Sequence, residues 1–268
     1  MDDQLSSPLT ETSTRDEAAI RRLMIFFALV YIVEGAGQIG GLLAQPLGYF
    51  LKQVHGWTAL QVTAYITVFN FPWIIKPVYG AISDFVPIFG YRRKSYLLAA
   101  NIAAIAGFVW AAQLNAPNWL VWALQLTAYG MAISSTVCGA VLVENGQRLR
   151  RSGHFVNQQW LWFNAAAIVA SILGGALVQW LPPATALHSA ALIVAAAPVT
   201  VLLGTLVLIP EQKTRTDLAG LKAAFGGVAD TFRRRELWLI AIFLFLYYFS
   251  PGLGTPLYYT MTDGLKFS

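Results

Sequence analysis

Long apolar stretches alternate with short polar segments along almost the whole chain, and this alternation predicts membrane-spanning helices. A helix that crosses a bilayer needs about 20 consecutive, mostly apolar residues. Seven stretches are candidates, at about Leu23–Leu51, Leu60–Ser83, Ser95–Leu114, Trp119–Val143, Gln158–Leu181, Leu187–Ile209 and Leu237–Tyr259. Pro46 and Gly48 are expected to end or bend the outer part of the first stretch. The pattern predicts an all-α, multi-span membrane protein.

Composition supports this class. Hydrophobic residues make up 57% of the 268 positions and charged residues only 12%, whereas soluble domains are about a quarter charged. The formal net charge of +5 is carried by short basic clusters between the apolar stretches. A nucleic-acid partner is therefore not indicated, and the lipid bilayer is the expected surroundings.

The basic residues also predict an orientation. Fifteen of them lie before the first span or in alternate loops, whereas the opposite loops carry only Lys52. Because basic loops stay in the cytoplasm, we expect a plasma (inner) membrane protein with a cytoplasmic N-terminus. Residues 1–21 form the predicted cytoplasmic tail, and Met1–Glu17 within it is expected to be disordered, without a signal peptide.

The segment Pro210–Glu236 differs from the other loops. Its apolar residues recur at steps of three and four, which predicts an amphipathic helix along the cytoplasmic interface: Leu218, Leu221, Phe225, Val228 and Phe232. Many transporters consist of two six-helix halves joined by such a linker. The predicted organisation is a six-helix N-terminal half at 22–209, a linker at 210–236 and the first helix of a second half at 237–268. The chain is thus expected to be a fragment of a twelve-helix fold that lacks its C-terminal half, unless it forms a homodimer.

Glu34 is the clearest ionisable residue inside a span, and such residues are costly in a bilayer. It lies in YIVEGAGQIGG, with Gln38 one turn further on the same predicted face. One hypothesis gives these residues a role in proton or substrate contact. The alternative makes Glu34 a hydrogen-bond partner between helices, with Gly37-x-x-x-Gly41 as a packing surface.

The second span carries further polar candidates for a central site: Asn70, Trp73 and Lys76. Pro72 removes one backbone hydrogen bond and is expected to bend this helix. Lys76 either contributes to a central cavity or extends its charged end to the interface. Trp73 either stacks on a flat ligand or packs in the core.

Later spans add weaker candidates. Gln158 and Trp162 lie one turn apart where the fifth span begins, and they either contact a ligand or lie at the interface. Glu144 precedes three arginines and is either a solvated helix end or part of a gate ion pair. Four small, weakly polar residues of the fourth span are expected to bond to the backbone or to allow close packing: Ser134, Ser135, Thr136 and Cys138.

The loop between the second and third spans carries the most specific motif. Gly80 is expected to allow close helix approach, Asp84 lies on the same helix face, and Gly90, Arg92 and Arg93 follow. This pattern resembles the loop motif of the major facilitator superfamily, G-x-x-x-D followed by G-x-R-R, but with Gly90 six residues after the aspartate instead of three. The longer stretch KPVYGAISDFVPIFGYRRKSY resembles the folate–biopterin transporter family.

Two further stretches, VENGQ with QQW and FSPGLGTPLYYTMTDGLKFS, are similar to the same family, although Gly139 occupies a position where members often carry an acidic residue. The resemblance implies a twelve-span fold and a folate or pteridine substrate. The residues predicted for a substrate or proton site are Glu34, Gln38, Asn70, Trp73, Lys76, Gln158 and Trp162. Those predicted for a cytoplasmic gate are Gly80, Asp84, Gly90, Arg92, Arg93 and Glu144.

The predicted function is secondary active transport of a small organic solute by alternating access, coupled to H⁺ or Na⁺. No enzyme activity and no cofactor are expected, because the chain has no phosphate-binding loop, and His55, His154 and His188 have no metal-ligand spacing. The alternative is a non-transporting membrane scaffold, an assembly protein or an inactive relic.

Overall fold

The protein is helical in the computed structural model, which describes residues 8–249, 257, 260–261 and 265. Its helices are α1 (Pro8–Gly37), α2 (Ala44–Gln53), α3 (Ala59–Thr67), α4 (Phe71–Ile74), α5 (Lys76–Phe85), α6 (Lys94–Ala111), α7 (Pro117–Arg148), α8 (Ser152–Trp180), α9 (Pro183–Leu208), α10 (Leu218–Phe232) and α11 (Arg235–Tyr248). A 3₁₀ turn at Val68–Asn70 joins α3 to α4. The all-α, multi-span class is therefore confirmed.

Within the described residues, four helices are long and apolar enough to cross a membrane, and these are α6, α7, α8 and α9. They correspond to the third to sixth predicted spans. The first and second predicted spans are each divided. The seventh is described as α11 up to Tyr248, and most of the stretch from Phe249 to Ser268 lies outside the described residues.

The first span is interrupted earlier than the sequence pattern predicts. Helix α1 ends at Gly37, and the backbone N–H of Leu42 closes the following turn by donating to the Ala36 carbonyl at 2.9 Å. Pro46 lies inside the first turn of α2, where its missing N–H is tolerated. The predicted bend at Pro46 is therefore wrong, and Gly37-x-x-x-Gly41 forms no continuous helix face.

At its other end α1 begins at Pro8, so residues 8–17 are helical and the prediction of disorder is wrong for them. Proline is favourable at a helix start, and the glutamate, alanine and arginine residues that follow are good helix formers.

The second span is divided by its prolines, as expected for Pro72. The 3₁₀ turn precedes Pro72, and the chain breaks again at Ile75, two residues before Pro77. Neither proline can donate a backbone hydrogen bond to the preceding turn. Because of the second break, Lys76 begins a new helix whose axis is independent of α4. A capping box begins α3, since Thr58 N donates to Gln61 Oε1 at 2.9 Å and Gln61 N donates to Thr58 Oγ1 at 3.3 Å.

The bundle places α1 against α8 and α9, and α6 against α7 and α9, while α5 packs on α7. Close approach of α1 to α8 depends on Gly35, because a Cβ atom there would overlap the Phe163 carbonyl oxygen. Aromatic residues such as Phe26, Phe27 and Phe108 fill the core. In lipid, such packing and interhelical hydrogen bonds drive helix association. The result is that α1, α5 and α7 meet in the interior.

The linker contains helix α10, but the side chains of Phe225 and Val228 lie outside the described residues, so the predicted apolar stripe and its place at the interface stay predictions.

Candidate functional site

A chain of three polar side chains crosses the interior and joins α5, α7 and α1. Lys76 Nζ donates to Ser135 Oγ at 3.0 Å, and Ser135 Oγ donates to Glu34 Oε1 at 2.9 Å. The serine hydroxyl can do both because it is donor and acceptor at once. Glu34 is only 8% exposed, and its second carboxylate oxygen, Oε2, is buried with no hydrogen-bond partner among the described residues.

Lys76 has a second contact, because its Nζ lies 4.3 Å from the centroid of the Trp73 ring. An ammonium group over an aromatic face is attracted by the electrons of the ring. The Lys76 ammonium therefore lies inside the bundle and does not extend to the interface, and its contribution to a central cavity stays a prediction. We call Glu34, Trp73, Lys76 and Ser135 the central cluster.

Of the two roles predicted for Ser135, the bond to its own backbone is wrong, since its hydroxyl donates to Glu34 on another helix. Thr136 behaves as expected and donates to the Ala132 carbonyl at 2.7 Å. Ser134 accepts a 3.0 Å hydrogen bond from Asn101 Nδ2, and Cys138 is buried. In the sequence, three consecutive small polar residues gave no indication of which one faces α1.

The other residues predicted for the central site do not join this cluster within the described structure. Gln38 lies just beyond the end of α1, and Asn70 is exposed at the end of the 3₁₀ turn without a hydrogen bond from its side chain. Trp162 Nε1 donates to Gln158 Oε1 at 2.6 Å, so these two form a pair of their own on α8.

A second charged constellation lies where α5 ends and α6 begins. Arg93 Nη2 is 2.5 Å from both Asp84 Oδ1 and Glu144 Oε1, and Arg93 Nη1 donates to Ser83 Oγ at 2.8 Å. Arg92 Nη2 is 3.6 Å from the same Glu144 oxygen. We call Asp84, Arg92, Arg93 and Glu144 the end cluster. Four residues predicted for the cytoplasmic gate are thus in contact, whereas Arg148 bonds to Asn145 instead of Glu144, and the gate itself stays a prediction.

Charge and burial differ within the end cluster. Arg93 is 6% exposed, whereas the side chains of Asp84 and Glu144 are 43% and 46% exposed. Burial alone would lower the pKa of the Arg93 guanidinium, but its hydrogen bonds and charge contacts with Glu144 and Asp84 outweigh burial and raise that pKa above its ordinary value. Arg93 is therefore a permanent cation held by two partly hydrated anions.

The two glycines of the loop motif have different outcomes. Gly90 has a φ of +86° and Phe89 a φ of 53°, and Tyr91 N donates to the Ile88 carbonyl at 3.0 Å. Positive φ at both central residues is the signature of a tight type I′ turn, so the additional residues after Asp84 form a hairpin. At Gly80 a Cβ would lie 3.7 Å from Thr136, an ordinary contact. The close approach predicted there is wrong.

Glu211, in the segment after α9, is a functional residue that sequence reasoning missed. Its Oε1 accepts backbone hydrogen bonds from Arg92 at 2.7 Å and Arg93 at 2.9 Å, and its Oε2 accepts one from Lys94 at 2.8 Å. A helix N-terminus has free N–H groups and attracts negative charge. The only sequence signal was a lone carboxylate after Pro210, and this signal does not indicate which residues the carboxylate contacts.

The same linker segment bonds twice more to the loop before α6. Thr214 N donates to the Gly90 carbonyl at 2.8 Å, and Asp217 N donates to the Phe85 carbonyl at 2.9 Å. Asp217 Oδ1 also accepts from Gly220 N at 2.8 Å and so caps α10. The linker is thereby fixed to the backbone that carries Arg93.

A cavity of about 810 Å³ opens between α1, α7 and this linker segment. Charged side chains of both signs line it, and they include Arg22, Glu144, Arg148 and Glu211. The end cluster thus borders a water-accessible vestibule.

At the opposite end of the bundle the turn between α6 and α7 is held by hydrogen bonds to its backbone carbonyl groups. His188 Nε2 and His55 Nε2 lie 3.1 and 3.0 Å from the carbonyl oxygens of Leu114 and Asn115, and Tyr65 Oη donates to the Pro117 carbonyl at 3.0 Å. Because a carbonyl can only accept, both histidines donate from Nε2.

Comparison with known proteins assigns the chain to a family. Residues 37–255 match the BT1 family. The chain is 29% identical over 243 residues to the folate-biopterin transporter of Synechocystis sp., which covers 89% of this chain and 48% of that protein. It is 28% identical over 239 residues to the probable folate-biopterin transporter 6 of Arabidopsis thaliana, covering 84% of this chain and 46% of the relative.

A third relative, folate transporter 1 of Plasmodium falciparum, is 25% identical over 268 residues, covering 97% of this chain and 51% of the relative. The chain thus spans about half the length of these curated relatives, and no solved structure matches it significantly. Because the family match extends over most of its residues, the chain belongs to the BT1 family of multi-pass membrane proteins.

Proposed function

We propose that the protein moves a small organic solute of the folate or pteridine class across the membrane by alternating access, driven by an H⁺ or Na⁺ gradient. The names of the relatives support the solute class. The observation that carries the proposal is the central cluster, in which Glu34 and Lys76 are linked through Ser135 inside the bundle.

Buried ionisable residues in a membrane are expensive and are therefore kept for function. Glu34 Oε2 is buried and unpaired among the described residues, so one acceptor position is open. A pterin ring carries adjacent N–H groups along one edge, and a carboxylate can accept from two such donors side by side. Trp73, which already carries the Lys76 ammonium near its ring, offers a flat surface to the same ring system.

The same carboxylate is our candidate for ion coupling. A proton taken up by Glu34 removes the negative charge that faces Lys76 through Ser135, and its release restores that charge. If the two membrane-facing conformations bind this proton with different affinity, the gradient shifts the population between them. If proton and solute must both be bound for the same conformational change, the two are transported together by symport.

We further propose that the end cluster is a gate on the cytoplasmic side of the plasma (inner) membrane, with the N-terminus on the same side. Its ion pairs would form when that side closes and break when it opens. The partial exposure of Asp84 and Glu144 supports this role, because hydrated anions can exchange a guanidinium for water at modest cost. Gly90 contributes the turn that presents Arg92 and Arg93, whereas the contacts of Gly80 give it no part.

Uptake by cells that express the gene encoding this chain tests the proposal. Labelled folate, pterin and amino acids are compared, in the wild type and in Glu34→Gln. We expect folate or pterin to accumulate in the wild type, and Glu34→Gln to abolish gradient-driven accumulation while retaining solute exchange. Accumulation in Glu34→Gln with unchanged pH dependence would exclude Glu34 as the proton carrier, and uptake of none of the solutes would refute the solute class.

A further inference from the structure

A groove of about 430 Å³ runs between the middle of α1 and the end of α9, and Ala19 and Arg22 line both this groove and the vestibule beside the end cluster. It is lined by Ala18, Ala19, Arg21, Arg22, Ile25 and Leu208. Residues 18, 21, 22 and 25 follow the three- and four-residue spacing of one helix face. The groove therefore has two guanidinium groups at one level and apolar side chains one turn deeper.

The two arginines have no protein partner in the groove. No ion pair or hydrogen bond joins the side chain of Arg21 or Arg22 to any described residue, and Arg22 Nε is buried and unpaired. A buried donor without a partner is unfavourable unless a ligand or water satisfies it. The small side chains of Ala18 and Ala19 leave the space beside both guanidinium groups open.

One turn along α1 from the arginines, the groove is lined by the apolar side chains of Ile25 on α1 and Leu208 on α9, and further apolar residues are exposed on α9 outside the groove. Ile25 is 49% exposed on α1, while Leu203 and Val207 are exposed on one face of α9. Below this level the two helices close on each other, since a Cβ at Gly204 would lie 3.0 Å from Leu29. The groove is thus closed where α1 and α9 pack together at Gly204 and Leu29.

We propose that this groove binds an anionic phospholipid, with the headgroup phosphate on Arg21 and Arg22 and an acyl chain along Ile25 and α9. Guanidinium groups bind phosphate oxygens in pairs of hydrogen bonds. Basic pockets between membrane helices are suited to anionic headgroups, which enrich the cytoplasmic leaflet. The proposal depends on membrane insertion and not on the transported solute.

The competing explanation is that Arg21 and Arg22 serve only to orient the helix, as basic residues at span ends commonly do. Arg150 and Arg151 offer a matched control, because this second adjacent pair is exposed in the short connection between α7 and α8. If lipid binding depends only on net charge, replacing either pair of arginines should weaken it equally. If it depends on the groove, only replacement of Arg21 and Arg22 should weaken it.

The test is lipid binding to the purified protein in detergent, measured by native mass spectrometry. Wild type, R21Q/R22Q, R150Q/R151Q and A18F are titrated with phosphatidylglycerol, phosphatidylcholine or inorganic phosphate. The A18F variant keeps both arginines and fills the groove. Each arginine beside an anionic lipid adds to the free energy of binding. Loss of both arginines should therefore weaken phosphatidylglycerol binding by about thirty-fold.

We expect R21Q/R22Q and A18F to lose phosphatidylglycerol binding, and R150Q/R151Q to retain it. Equal weakening by R150Q/R151Q would reduce the effect to net charge and overturn the proposal. Equal binding of phosphatidylcholine, or binding of phosphate alone at the same affinity, would overturn the anionic-lipid assignment. Should R21Q/R22Q fail to fold, A18F decides alone, and unweakened binding in A18F refutes the site.

Discussion

Helices α5 and α7 contribute residues to both the central cluster and the end cluster, yet the charges of the two clusters are paired in different ways. In the central cluster Lys76 reaches Glu34 only through the Ser135 hydroxyl, the carboxylate is buried, and one of its oxygens is unpaired among the described residues. In the end cluster Arg93 contacts two carboxylates directly, and both carboxylates are partly exposed to water.

We interpret this difference as that between a site that can take up a ligand or a proton and a set of ion pairs that can open and close. A buried anion with one open acceptor position gains from any ligand or proton that fills it, because a buried charge is costly when incompletely paired. Partly hydrated ion pairs contribute little net free energy and can break and re-form. The comparison therefore supports our proposal that the central cluster binds the solute and the end cluster acts as the gate.

The largest effect is expected at the central cluster from Lys76→Met, which leaves Glu34 without its counter-charge. The Glu34 carboxylate is then unpaired, and an unpaired charge is disfavoured in a buried site. We expect solute binding to weaken by about thirty-fold, which corresponds to about 2 kcal/mol. Equilibrium binding of labelled solute measures it.

Lys76→Arg is the matched control for this change, because it keeps the charge and should restore part of the binding. Wild-type affinity for the solute in Lys76→Met would show that Lys76 takes no part in the central site. It would also contradict the difference drawn between the two clusters.

A smaller effect is expected at the end cluster from Asp84→Asn. Asparagine keeps the shape and one hydrogen bond to Arg93 but loses the charge, and a charged hydrogen bond exceeds a neutral one by about 1 kcal/mol. We expect transport to slow by about five- to tenfold while solute binding stays largely intact. Initial uptake rates and equilibrium binding on the same preparation separate the two, and an equal loss of both would rule out a gate role.

The smallest effect is expected from Glu211→Ala, which removes a carboxylate from the N-terminus of α6. Loss of such a cap costs about 1 kcal/mol of unfolding free energy. The measurement is thermal unfolding of the purified protein, with Glu236→Ala in the first turn of α11 as the control. We expect Glu211→Ala to lower the melting temperature and Glu236→Ala to change it less. Equal shifts of the melting temperature in the two variants would show that the three backbone hydrogen bonds to Glu211 add nothing to the stability of the protein.

The sequence predicted the helical class, the third to sixth spans and the members of the end cluster. These follow from local signals, namely apolar length and the spacing of a motif within one loop. The break at Gly37, Ser135 and Glu211 were not predicted. The contacts of Ser135 and Glu211 depend on which residue of another element lies opposite, and a periodic pattern does not specify partners that are far apart in the sequence. Ser135 and Glu34 are 101 positions apart, and Glu211 and Lys94 are 117 apart.

The most direct test of the central claim compares Ser135→Ala with Ser134→Ala. Both remove a buried hydroxyl from α7, but only Ser135 links Lys76 to Glu34. The measurement is the ratio of gradient-driven accumulation to solute exchange, in membrane vesicles from cells that express each variant. We predict that Ser135→Ala lowers this ratio by about tenfold, equivalent to about 1.4 kcal/mol, and that Ser134→Ala leaves it unchanged. An unchanged ratio in Ser135→Ala, or an equal fall in both variants, would contradict a coupling role for the central cluster.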